Sequence, residues 1–131
     1  MVLDNNKLML VFGLSEEDTN FLNKMIEELD LPHYRVIEKN MANMKIRDII
    51  QGLKVDTYDK ELPDEKIIMF NNFADYELDK AVRTIRTNKD MKPILAIVTP
   101  TSIDWEFHYL VEHLMEEREQ AKKYRQQKAQ A

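Results

Sequence analysis

"KIIMFNNFADYELDKAV", residues 66–82, changes its period halfway along. Lys66 and Asn71 bracket an apolar run suited to a strand buried on both faces. Beyond it the apolar residues return only at Leu78, Ala81 and Val82, with Ile85 following. That i, i+3, i+4, i+7 spacing places the quartet on one face of a helix. A buried strand passing straight into an amphipathic helix is the building unit of a sheet covered by helices. The pattern recurs along the chain. "LMLVFG" (8–13) precedes Leu22, Met25, Ile26 and Leu29, and "YRVIEK" (34–39) precedes Ile46, Ile49, Ile50 and Leu53. "ILAIVT" (94–99) precedes Ile103, Phe107, Leu110, Val111 and Leu114. No internal sequence repeat accompanies it.

Boundary signals agree with that division. Ser15 precedes Glu16, Glu17 and Asp18, Asp75 precedes Glu77, and Ser102 precedes Asp104 and Glu106. Each is a small polar cap followed by acids that suit the helix dipole. Pro32 and Pro93 stand just before the second and fourth strands, where the chain leaves a helix. Residues 54–65, "KVDTYDKELPDE", form the longest surface loop. The expected architecture is a single α/β domain over residues 1–117. Its four-stranded parallel sheet has the order 2-1-3-4 with helices on both faces, a flavodoxin-like or receiver-like arrangement.

Composition narrows the function classes. Hydrophobic content of 44% with 33% charged residues belongs to a soluble globular protein. No apolar run approaches the roughly 18–20 residues that cross a bilayer, so no membrane role is expected. "MVLDNNK" lacks the pattern of a secretory signal and the 131 residues contain no cysteine, which points to a cytoplasmic protein without disulfides. A net charge of -5 argues against nucleic acid as a partner. The exception is the tail at 118–131, where Arg118, Lys122, Lys123, Arg125 and Lys128 face the single acid Glu119. A helix from Ile103 to Lys128 would span about 39 Å, against about 20 Å for a six-residue strand. The tail therefore overhangs or frays, solvated or in weak contact with an acidic partner or RNA.

In a parallel sheet the site forms outside the carboxyl ends of the strands. That rim would carry Gly13, Leu14, Ser15, Lys39, Asn40, Asn71, Asn72, Phe73, Thr99, Pro100, Thr101 and Ser102, with Trp105 nearby. It is polar and almost uncharged. Two glycines in the whole chain and acids at the helix starts disfavour a phosphate or dinucleotide, and no cofactor is expected. A receiver needs carboxylates for Mg2+ and an acceptor aspartate after its third strand, where this chain has Asn71 and Asn72. Thr99 matches the hydroxyl of such domains, leaving at most a degenerate receiver without a phosphoacceptor. His108 and His113 are five apart on a helix and do not converge on a metal. No base stands beside Ser102, and Asp104 and Glu106 suit the dipole better than acid–base catalysis. On a helical wheel Trp105 and Tyr109 point away from the sheet-facing stripe. The only tryptophan then either roofs the rim or joins Tyr109 in a patch for a partner. Thr99-Pro100, at a tight turn, is a candidate cis bond.

"NNFADYELDKAV" (71–82) and "PILAIVTPTSIDWEFHYLVEHLMEE" (93–117) resemble a family of small uncharacterised domains of unknown function from Gram-positive bacteria. The signature is Asn72, Phe73, Asp75, Glu77 and Leu78, then Thr99, Pro100, Thr101 and Trp105. The resemblance implies an α/β fold and supplies no activity. The leading expectation is a non-catalytic module that binds a protein partner or itself through Asn71, Asn72, Phe73, Thr99, Pro100, Thr101, Trp105 and Tyr109. The alternative is a small-ligand sensor or enzyme with a neutral polar pocket at the same rim.

Overall fold

The computed structural model describes residues 7–53 and 61–130. Strand β1 (Leu8–Phe12), helix α1 (Glu16–Leu29) and strand β2 (Tyr34–Val36) form a first unit. A 3-10 turn (Lys39–Met41) and the short helix α2 (Ile46–Ile50) lead to β3 (Ile67–Asn71), α3 (Asp75–Thr87) and β4 (Ile94–Ile97). A second 3-10 turn (Ser102–Asp104) precedes α4 (Phe107–Gln130). Part of the loop expected at 54–65 lies outside the described residues.

The strand order β2-β1-β3-β4 matches the expected one, but the sheet is mixed rather than parallel. β1–β2 and β3–β4 are parallel pairs, whereas β1 and β3 run antiparallel, with Leu8 opposite Asn71 and Phe12 opposite Ile67. The chain enters β3 at the end of the sheet where it left β2, and α2, about 7.5 Å long, is too short to act as a strand-length crossover of about 17 Å. Leu53, read from its spacing as the fourth core position of that helix, is 48% exposed beyond the helix end. The fold thus departs from a flavodoxin-like sheet at its central pair.

Successive residues alternate between two apolar layers. Met9, Val11, Ile68 and Phe70 face α1 and α3, packing with Leu22, Met25, Ile26, Ala81 and Ile85. Leu10, Phe12, Ile67 and Met69 face α2 and α4, packing with Ile46, Ile49, Phe107, Val111 and Leu114. Both faces are covered, which is why the strands read as unbroken apolar runs. Arg35 donates to the Ile49 and Ile50 carbonyls at 2.8 and 2.7 Å, capping the end of α2. α4 is anchored last by Arg118, which donates to both Glu65 carboxylate oxygens at 2.9 and 2.7 Å. Those hydrogen bonds hold the Glu65 carboxyl below its usual range. Residues 119–127 of α4 are exposed. No described helix is long and apolar enough to cross a membrane.

The antiparallel centre gives the domain an approximate two-fold axis that the sequence does not show. The β1–β3 register is symmetric about Leu10 opposite Met69, so each β1 residue corresponds to the one fifty-nine positions later. Gly13 leaves β1 at φ 75° and Asn72 leaves β3 at φ 60°. The Asp18 carboxylate, third in α1, accepts from Lys66 Nζ at 2.8 Å and from the Ser15 N–H at 2.9 Å, while the Asp18 N–H donates to Ser15 Oγ at 3.2 Å. Its counterpart Glu77, third in α3, accepts from Lys7 Nζ at 2.9 Å and from the Ala74 N–H at 2.8 Å. Each unit therefore supplies the lysine before its first strand to the buried acid of the other. Burial alone would raise both carboxyls, but these hydrogen bonds outweigh it and hold Asp18 and Glu77 below their ordinary values. A rotation about this axis also keeps α1 and α3 on one face, as equal crossover handedness demands.

Candidate functional site

The parallel β3–β4 pair brings the segment after Asn71 and the segment after Ile97 to one end of the sheet. Gly13, Leu14, Ser15, Lys39 and Asn40, expected on the same rim, lie at the opposite end because β1 and β2 point the other way. A receiver's acids after the first strand and its acceptor after the third could not meet in this topology. Among the described residues no group of three or more His, Asp or Glu side chains is placed to hold a metal ion.

Residues 98–106 form a hydrogen-bonded corner. Val98 N–H donates to the Phe70 carbonyl at 2.9 Å, extending the sheet by one bond beyond β4. Thr99 and Ser102 then bond each other: Thr99 N–H to Ser102 Oγ at 2.9 Å, Ser102 N–H to Thr99 Oγ1 at 3.0 Å, and the two hydroxyls to one another at 3.1 Å. Ser102 is buried, and both hydroxyls hold the turn. Thr99-Pro100 is trans, and Pro100 and Thr101 are exposed. α4 begins at Phe107 rather than Ile103, because Trp105 is extended at φ -81° and ψ 149°. The Trp105 carbonyl accepts from Ile46 N–H at 3.0 Å, and Lys45 and Glu106 form an antiparallel bridge. Phe107 and His108 N–H groups donate to the Met44 and Ala42 carbonyls, both at 2.9 Å. The first donors of α4 are thus satisfied by a loop of the same domain, not by a side-chain cap. Arg47 Nε donates to Asp104 at 2.9 Å, which lowers the Asp104 carboxyl and ties α2 to the corner.

The extended Trp105 lays its indole back along α4. It meets Tyr109 edge-on at 4.8 Å and His113 at 5.0 Å, while Tyr109 and His113 stack at 6.4 Å. These three rings, spaced by four residues, form a ladder on the helix face away from the sheet. Trp105 is half-buried, also touching the α2–α4 core, and Tyr109 is 48% exposed. His113 is tied to Glu117 at 2.9 Å. The sequence reading placed Trp105 and Tyr109 on this face and missed His113, whose signal was the continued i+4 spacing.

The other candidate residues lie apart from the ladder. Asn71 is buried at the end of β3, and Asn72 is exposed in a left-handed turn, a role for which Asn is well suited. Phe73 packs edge-on against Phe70 at 5.2 Å and belongs to the α1–α3 layer, across the sheet from Trp105. Clefts of ≈ 510, ≈ 340 and ≈ 460 Å³ lie elsewhere: one beside Phe12, Gly13 and Glu65, one at the end of α3, one at the end of α1.

A family described as a domain of unknown function (DUF3783) matches residues 66–120, from the start of β3 into α4. No curated protein and no solved structure matches the chain. The matched segment holds the two stretches on which the sequence resemblance rests, together with the whole aromatic ladder.

Proposed function

We propose that this chain is a non-catalytic protein-interaction module of the bacterial cytoplasm, engaging a partner through the outer face of α4. The exposed Tyr109, braced by Trp105 and His113, carries the proposal. Rigid aromatic side chains lose little entropy on binding and are favoured anchors at interfaces. The three rings already contact one another within the chain, which limits the further ordering that would oppose association. At the corner below them, the hydroxyls of Thr99 and Ser102 bond each other and hold the turn.

The test is affinity capture from an extract of the source cells, comparing wild type with Tyr109→Ala. Tyr76→Ala, which removes a still more exposed tyrosine from α3, is the control. One species retained by wild type and Tyr76→Ala but lost from Tyr109→Ala supports the α4 face. Equal capture by all three removes it as the contact.

A further inference from the structure

We propose that the cleft between the end of α3 and the start of β4 binds a small, multiply charged anion of the phosphate type. Arg86, Lys89 and Lys92 line it, with Asn88 beside them and Ile85 and Leu95 as an apolar floor. Its volume of ≈ 340 Å³ falls within the range of small-molecule sites, about 300–1,000 Å³.

Three observations carry the assignment. First, the cations have no carboxylate partner. Arg86, Lys89 and Lys92 form no ion pair among the described residues; Arg35, Lys39, Lys45, Lys80, Lys123 and Arg125 form none either, but the first three share one cleft with no carboxylate in its lining. Asp90, in the same turn, does not line the cleft. Second, the turn that carries the cations is braced. The Asn88 side-chain oxygen accepts from the Asp90 and Met91 N–H groups at 3.1 and 3.2 Å, holding the turn between Arg86 and Lys92. Third, the two-fold axis supplies an internal control. The hollow at the end of α1 is lined by Glu27 and Asp30; Glu27 stands fifty-nine positions before Arg86, over Ile26 where α3 has Ile85, and the loop that follows is two residues shorter than the one before β4. α1 has no basic residue in its last turn. The fold accepts either sign, so the positive charge at the second position is not a requirement of helix ends.

In a chain of net charge -5, three unpaired cations around one hollow concentrate anions there. A guanidinium offers two parallel donors to a phosphate, and ammonium groups add point charges. The cations converge on one cavity rather than forming a stripe, which suits a compact anion better than a nucleic-acid backbone.

The full chain would be titrated with inorganic diphosphate at low ionic strength, followed by calorimetry and by amide NMR shifts. One site is expected, with shifts centred on residues 85–95. Arg86→Glu/Lys89→Asp, which reverses two of the three charges in this cleft, should weaken binding at least about tenfold with an unchanged circular dichroism spectrum. Lys122→Glu/Lys123→Glu makes the same change in net charge on α4 and should leave the affinity as it is. Absence of saturable binding by wild type up to about 10 mM diphosphate, or equal loss in both variants, overturns the site.

Discussion

The β1–α1–β2 and β3–α3–β4 units share one plan and differ in how each corner of it is filled. Both begin with a lysine that reaches the other unit's buried acid, and both leave the first strand through a left-handed residue. In the first unit that residue is Gly13, where a Cβ would overlap the Glu65 carbonyl, and the cap is Ser15. In the second they are Asn72, exposed, and Ala74, which has no oxygen to offer. The shared parts are those that the antiparallel centre requires. The parts that differ show where the first unit is held more tightly than the second.

The largest asymmetry is expected at the left-handed residues. Gly13→Val should destabilise by about 3 kcal/mol or more, combining left-handed strain with a backbone overlap. At the counterpart, Asn72→Val meets no such wall and should cost about 1–2 kcal/mol. Urea midpoints of the two variants would measure the gap, and equal losses would break the comparison.

Next come the exchanged ion pairs. Lys66→Met and Lys7→Met each strand a buried carboxylate but leave it near solvent, so each should cost about 1–2 kcal/mol at neutral pH. Similar values for the two are the signature of the two-fold plan. The pH dependence follows from the lowered carboxyls. Because the folded-state values of Asp18 and Glu77 lie below their unfolded ones, their stabilisation is complete above the ordinary carboxylate range. It is lost as pH falls below about 4 and through the folded values. Asp18→Asn/Glu77→Gln should therefore lose less stability than wild type between neutral pH and about pH 3, read from denaturation midpoints.

The smallest effect sharpens the likeness instead. Ala74→Ser completes in α3 the reciprocal cap that Ser15 and Asp18 make in α1, and should add about 0.5–1 kcal/mol. Ser15→Ala should remove a similar amount. A thermal melt showing a gain for the first and a loss for the second would place the two corners in one geometry.

Much of this fold is legible in the residue pattern. The four apolar runs become the four strands, and the stripes at Leu22 to Leu29, Leu78 to Ile85 and Phe107 to Leu114 become buried helix faces. Ser15 caps as expected, whereas Asp75 is the first residue of α3 and the cap falls to Ala74. Ser102 caps no helix: it closes a turn with Thr99, and α4 starts later on carbonyls from Ala42 and Met44. No local pattern announces a helix start whose donors are met by a loop sixty residues away. The internal symmetry is equally hidden, since Gly13 with Asn72 and Asp18 with Glu77 correspond in conformation and charge but not in identity. At the candidate site the outward direction of Tyr109 was readable from helical angles, whereas Trp105 reaches it from an extended residue ahead of α4, which those angles do not describe. The separation of Trp105 from Phe73 was not readable either, because the two belong to opposite layers.

By itself the sequence determined which residues are buried and with what period, and hence the strands, most helix faces and the strand order suggested by their alternation. These follow from each residue's own preference for water or the interior, summed over a few neighbours. Tertiary structure alone decided the direction of β3, the exchange of Lys7 and Lys66 between units, the gathering of three rings on α4 and the opposite charges of the clefts that follow α1 and α3. Strand direction depends on the path taken by a connection thirty residues long, and that path is set by packing against the whole sheet rather than by any one segment.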